Sequence, residues 1–131
     1  IVQAPMNVID RRLVNSGWLE KLNAKGIEVH IRSIFLQGAL LMSKEKRPNY
    51  FHDWDEIFQL WDEWLIESKA RPLQACINYI LSFSEVSKIV IGVDSASQLN
   101  EIIDSAGSNC SDIPGTLSSE DERLINPGNW K

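Results

Sequence analysis

Residues 27–40, IEVHIRSIFLQGAL, alternate apolar and polar side chains through Ile27, Val29 and Ile31, then break into Arg32-Ser33 and a loop that ends at Gly38. Alternation with period two marks a strand with one apolar and one polar face. Residues 89–99, IVIGVDSASQL, repeat the arrangement: an apolar strand, Gly92, then a helix start capped by serine. Both are strand-to-helix junctions with a small residue and hydroxyls at the turn. Such a junction aims backbone N–H groups and the positive end of a helix dipole at an anion, typically a phosphate. Two in one chain point to a ligand with more than one phosphate, or to a large ligand lying across adjacent loops.

Strands and helices alternate along the rest of the chain. Ile1–Ala4 reads as a short strand. Asp10–Lys25 reads as a helix with Leu13, Val14, Trp18, Leu19 and Leu22 on one side and Gly26 as its stop, weakened by an interior Gly17. Ser43–Asn49 is a polar loop, and its basic cluster Lys44-Glu45-Lys46-Arg47 is expected to be solvated. Asp53–Ser68 carries Trp54, Ile57, Phe58, Trp61, Trp64 and Leu65 at helical spacing. Pro72 suits the first turn of the next helix, which buries Leu73, Cys76, Ile77, Ile80 and Leu81. Lys88–Gly92 is the third strand. Ser95 then caps a helix, with Gln98 three residues on and Leu99, Ile102 and Ile103 as its apolar face. After Gly107 the chain turns polar, with a short helix around Ser119–Ile125. The order β-α-β-αα-β-α predicts a parallel sheet or a barrel segment with right-handed crossovers. Three parallel strands leave one face poorly covered. Glu28, His30 and Arg32 on that face need partners that further strands would supply.

Bulk properties narrow the function classes. At 131 residues and 44% hydrophobic the chain can bury a core as one domain. A net charge of −5 argues against nucleic-acid binding, since no basic stripe is present. No apolar run is long enough to span a membrane. Cys76 and Cys110 are expected as reduced thiols, which places the protein in the cytoplasm. The chain opens at Ile1 inside a strand-like run, which predicts a piece of something longer.

Three segments taken in order resemble the aldo/keto reductases: Gln3-Ala4-Pro5-Met6-Asn7, then Arg32-Ser33-Ile34-Phe35-Leu36-Gln37-Gly38-Ala39-Leu40, then Gly92-Val93-Asp94-Ser95 with Gln98-Leu99 and Glu101. The closing Leu124-Ile125-Asn126-Pro127 and Trp130 extend the likeness over essentially the whole chain. The resemblance implies the C-terminal part, about three β/α units, of a TIM (β/α)8 barrel. Residues 1–107 would form those units and 108–131 the C-terminal tail of the same domain. A complete barrel needs about 250 residues, and its phosphate-binding loops tend to follow the seventh and eighth strands. The parent would be an NAD(P)H-dependent reductase that transfers hydride from the nicotinamide to a small carbonyl substrate.

The resemblance also assigns roles. Gln3 matches the strand-end glutamine that hydrogen-bonds the nicotinamide carboxamide. Ser33, Phe35, Gln37 and Gly38 match the loop that wraps the pyrophosphate, and Gly92, Ser95, Gln98 and Glu101 match the segment that holds the adenosine end. Taken alone, Ser95 and Gln98 would be a capping box, and it is the three motifs in order that raise the functional reading above it. Two positions depart from the pattern. Arg32 stands where many relatives stack an aromatic ring on the nicotinamide; it can face a phosphate or an acidic substrate, or pair with Glu28 or another barrel carboxylate. Asp94 stands where relatives that use NADP carry Arg or Lys. It would repel a 2′-phosphate and accept hydrogen bonds from ribose hydroxyls, which tilts the expectation toward NAD. Ile113-Pro114-Gly115-Thr116 imitates the cofactor motif but lacks an apolar strand before it.

The family's proton-donating tyrosine and its lysine, aspartate and histidine partners come from the first half of the barrel, so no catalytic residue is assigned here. Tyr50 and Tyr79 are read as packing residues, and neither His30 nor His52 sits at nucleophile or metal-ligand spacing. The chain alone is expected to be inactive, its partners being the nicotinamide cofactor and the rest of the barrel. Two alternatives stand: a nucleotide-binding half-barrel that covers its sheet by homo-oligomerising, and a module that uses cofactor binding for regulation.

Overall fold

Three parallel strands, β1 (Val2–Pro5), β2 (Val29–Arg32) and β3 (Val86–Ile89), pair side by side in sequence order in a computed structural model that describes residues 1–107 and 111–130. Cys110 lies outside the described residues; Cys76 is buried. The connections are helical: α1 (Arg12–Asn15) and α2 (Trp18–Ala24) after β1, then α3 (Asp55–Ser68) and α4 (Pro72–Leu81) after β2. After β3 come α5 (Ala96–Ser105) and the single turn α6 (Glu122–Ile125).

Glycine decides the first departure from expectation. The helix read over Asp10–Lys25 is two helices, because Gly17 adopts φ +71° and interrupts the turn. Gly26, at φ +68°, ends α2 where the sequence places the stop: Ile27 N–H donates to the Leu22 carbonyl at 3.0 Å and Gly26 N–H to that of Asn23 at 2.9 Å. The third strand begins two residues earlier than expected and ends at Ile89. A bulge at Ser87 shifts the register, and the Ser87 hydroxyl accepts the Val29 N–H at 3.2 Å. Val90 N–H still donates to the Ile31 carbonyl at 2.8 Å, and residues 91–92 then leave the sheet as a loop.

The strands bury one face. Val29 and Ile31 are fully buried, packed with Met6, Leu19, Ile77 and Ile80 beneath the helices. The opposite face carries Gln3, His30 and Lys88 in one cross-strand row, with Glu28 and Arg32 flanking it. Of these only His30 is partly shielded, and it hydrogen-bonds Glu28 Oε2 at 3.1 Å. That bond, reinforced by Lys88, holds the Glu28 carboxyl below its usual range.

A second core forms around α3. Phe58, Trp61 and Trp64 are buried, and Trp61 donates to the Leu40 carbonyl at 3.1 Å. Two expectations fail here for one reason: long-range packing overrides local polarity. Arg47 is not solvated with its neighbours. Its guanidinium lies 4.6 Å over the Phe58 ring and grips Asp62 in a two-pronged ion pair. Nor does the polar C-terminal segment trail away. Leu117, Leu124 and Ile125 are buried in this core, and Trp130 meets Phe51 edge to face at 4.9 Å. Tyr50 packs in the same cluster and donates its hydroxyl to the Arg123 carbonyl. Tyr79 packs edge-on to Phe83. On α4 and α5, by contrast, Leu81, Leu99 and Ile103 are exposed rather than buried, leaving Ile102 as the α5 residue that reaches the sheet core.

Candidate functional site

The loop leaving β2 is wound against the usual sense of the chain. Ser33, Leu36 and Gln37 all have positive φ, at 59°, 48° and 52°, and Gly38 follows at 88°. A non-glycine residue costs about 1–2 kcal/mol in that conformation, so the loop holds strain that its packing must overcome. Buried Ile34 and Leu36 anchor it from below. From the side, the Asn7 amide donates to the Ser33 carbonyl at 3.2 Å, while the Asn7 carbonyl oxygen accepts the N–H groups of Ile9 and Asp10. The turn closes through Leu36 N–H to the Ser33 carbonyl and Gly38 N–H to the Phe35 carbonyl. Among the described residues, the N–H groups of Ile34, Phe35 and Gln37 have no partner in the protein. Strained backbone with idle donors is the usual signature of a ligand clamp.

The loop leaving β3 faces it. The Ser95 hydroxyl accepts the Gln98 N–H at 3.2 Å and caps α5, while the Gln98 side-chain oxygen returns to the Asp94 N–H at 2.8 Å. The capping box is therefore built, one residue wider than the standard form. Gly92 needs no special backbone conformation, and a side chain added there would meet no protein atom within 4 Å. Nothing inside the fold requires glycine at that position.

Between the two loops lies an open cleft of about 800 Å³, within the ~300–1,000 Å³ common for ligand sites. Ser33, Phe35, Gln37, Gly38, Gly92, Asp94, Gln98 and Glu101 line it. Gln3, Arg32 and Ser95 do not: Gln3 sits on the open sheet face, Arg32 donates to the Ser33 hydroxyl at 3.2 Å, and Ser95 is occupied at its cap. Sequence reading missed Arg71, Leu73 and Ile102, which complete the walls. It also assigned no role to Asn7, although that residue ties the loop leaving β1 to the loop leaving β2. The signal for Asn7 was available, since a polar residue just past a strand and ahead of a helix is a common loop-bridging device. Among the described residues the imitation motif at Ile113–Thr116 follows no strand, and it precedes the four-residue α6.

Chemically the described residues of the cleft offer unpartnered amides, hydroxyl and carboxamide groups, one cation and two carboxylates. That suits a multiply hydrogen-bonding anionic ligand. Among the described residues, no cluster of three or more His, Cys, Asp or Glu side chains could hold a metal ion.

The model of the Aldo/keto reductase family matches residues 1–112. The chain belongs to the aldo/keto reductase family. A search of curated proteins finds no match. Among solved structures the chain is similar to an aldo-keto reductase, AKR11C1 from Bacillus halodurans in its holo form, with a TM-score of 0.62 at 21% identity. That likeness covers 84% of this chain and 38% of the Bacillus halodurans chain. At such identity it speaks to the fold: an α/β arrangement like an aldo/keto reductase barrel, of which three parallel strands and their helices form a part.

Proposed function

We propose that this chain is the C-terminal part, about three β/α units, of a TIM-barrel NAD(P)H-dependent reductase, and that its cleft holds the dinucleotide. The supporting observation is that both strand-to-helix loops open onto one cleft, where the amides of Ile34, Phe35 and Gln37 stand idle. The uncovered row Gln3–His30–Lys88 adds to it. Parallel sheets are normally covered on both faces, and in a closed barrel further strands supply the cover and the partners for inward polar side chains.

In this reading the 33–38 loop receives the pyrophosphate through its backbone N–H groups and the Ser33 hydroxyl. Gly92 lets the ligand approach the backbone, and Gln98 and Glu101 hold the adenosine end. Gln3 and Arg32, at the sheet's open face, reach the nicotinamide side. The bound nicotinamide supplies hydride to a carbonyl. The tyrosine, lysine, aspartate and histidine that handle the proton belong to strands beyond this chain. Asp94 accepts hydrogen bonds from ribose hydroxyls and repels a 2′-phosphate, so NADH is favoured.

The test is titration of the protein at its native full length with NADH and NADPH, read by quenching of its tryptophans. NADH should bind at least as tightly as NADPH; a strong preference for NADPH would sink the role given to Asp94. A second reading, a nucleotide-binding module without catalysis, uses the same cleft and the same idle amides. Carbonyl-dependent consumption of NADH by the full-length protein separates the two.

A further inference from the structure

We infer that Arg71 is the phosphate-recognising side chain of this cleft, contributed by a segment outside both strand-to-helix loops. The inference rests on the cleft being a dinucleotide site and adds to it a residue that no resemblance assigned.

Three observations carry it. First, among the described residues that line the cleft Arg71 is the one cation, and the other charges are the carboxylates of Asp94 and Glu101. A dinucleotide brings at least two negative charges into a space that already holds two, so its binding there needs a counter-charge. Second, among the described residues the Arg71 guanidinium makes no hydrogen bond or ion pair. The buried Arg47 is committed to Asp62, and Arg12 to Asp10 and Glu122. Third, the backbone of Arg71 is fixed. Pro72 confines the residue before it to extended geometry, observed at φ −78° and ψ 140°, and the Arg71 carbonyl accepts the Ala75 N–H at 2.9 Å as the first bond of α4. The preceding turn is held by Lys69 at φ +54° and by Ala70 N–H donating to the Leu65 carbonyl at 3.1 Å. Only the side chain of Arg71 is left to move.

The position also favours an anion. Arg71 is the N-cap of α4, a ten-residue helix with no acidic residue in its first turn. The helix dipole and the guanidinium therefore act in the same sense, with no acidic residue of the first turn of α4 against them. The short 3-10 turn Ala39–Leu41, which continues the 33–38 loop, packs on α4. The guanidinium's base and the idle amides thus belong to two walls of one packed unit. A guanidinium offers a planar fork of donors suited to phosphate oxygens, a geometry lysine lacks. It can take either the pyrophosphate, common to both dinucleotides, or the 2′-phosphate of NADP, against the repulsion of Asp94.

The experiment compares wild type, R71Q and R71K at native full length for binding of NADH and NADPH at low and high salt. A charge-assisted hydrogen bond corresponds to about ten- to hundredfold in affinity, so R71Q should weaken binding by that factor while R71K retains part of it. Added salt should weaken the wild type more than R71Q, a response that a merely structural role would not produce. Equal losses for both nucleotides assign Arg71 to the pyrophosphate; a loss confined to NADPH assigns it to the 2′-phosphate. Unchanged affinity of R71Q for both overturns the assignment alone. A wild type that binds neither nucleotide overturns the cofactor reading and the assignment with it. Because Arg71 is exposed, the circular dichroism of all three proteins should be the same.

Discussion

Removing either member of the Arg47–Asp62 pair should destabilise the protein, but by unequal amounts. The Arg47 side chain is 5% exposed and Asp62 31% exposed. The guanidinium makes a two-pronged contact at 2.8 and 2.5 Å, and it lies over the Phe58 ring. D62A leaves a charge that cannot be neutralised, buried against aromatic carbon with its main partner gone. Breaking one side of a buried pair costs about 3–5 kcal/mol, and water reaching the site through the Asp62 side should bring this to about 3. R47M leaves behind a carboxylate that is already one-third in water, and the methionine stem refills the space over Phe58. Its expected cost is about 1–2 kcal/mol, most of it the lost cation–π contact and the partial desolvation of Asp62. The double variant R47M/D62L should recover most of the loss, because two apolar groups replace two charges. Urea unfolding followed by fluorescence of Trp61 and Trp64, which share this core, measures all three at constant slope. If R47M costs as much as D62A, or if the double variant is additive, the burial asymmetry is not what governs this pair.

Three further outcomes are expected. G92A should leave stability within about 0.5 kcal/mol of wild type, since its methyl meets open space, yet weaken NADH binding several-fold; equal binding would remove Gly92 from the site. N7A should cost about 2–3 kcal/mol in the same unfolding assay, because it removes one donor and two accepted bonds at a buried position, and it should also lower NADH affinity by releasing Ser33; a stable variant with unaltered affinity would show that the bridge does not position the loop. The Asp121 carboxyl is pulled down to about 2 by the Arg123 side chain, then by the Arg123 N–H and Trp54. A depressed folded value means its contribution is complete above the unfolded aspartate value near 3.9 and disappears as pH falls toward 2. Acid unfolding of wild type between about pH 4 and 2 should therefore be steeper than that of D121N, and parallel curves would contradict this.

Much of the architecture was legible because its determinants are local. The alternation of Ile27, Val29 and Ile31 specifies a strand whatever surrounds it, and Pro72 and Gly26 mark a helix start and stop through their own backbone limits. The two junctions, and eight of the eleven positions read as cofactor-binding, came from contiguous motifs that the fold then placed around one cleft. Gly17 could be weighed but not resolved. Whether a glycine bends or breaks a helix depends on what the two halves pack against.

Tertiary structure decided the rest. The Ser87 bulge arises from pairing with Val29, 58 residues away, so no local pattern could end β3 at Ile89. Arg47 reads as one of four solvated charges until Asp62 and Phe58 close over it. The C-terminal segment reads as polar until Leu117, Leu124 and Ile125 find the aromatic core. Arg71 looks like an ordinary loop cation and enters the cleft only because α4 packs beside residues 39–41. Backbone preferences and hydrophobic period act over a few residues and are written in the sequence. Burial of a charge, register of a strand and convergence on a site are set by contacts between distant segments, which exist only once the chain has folded.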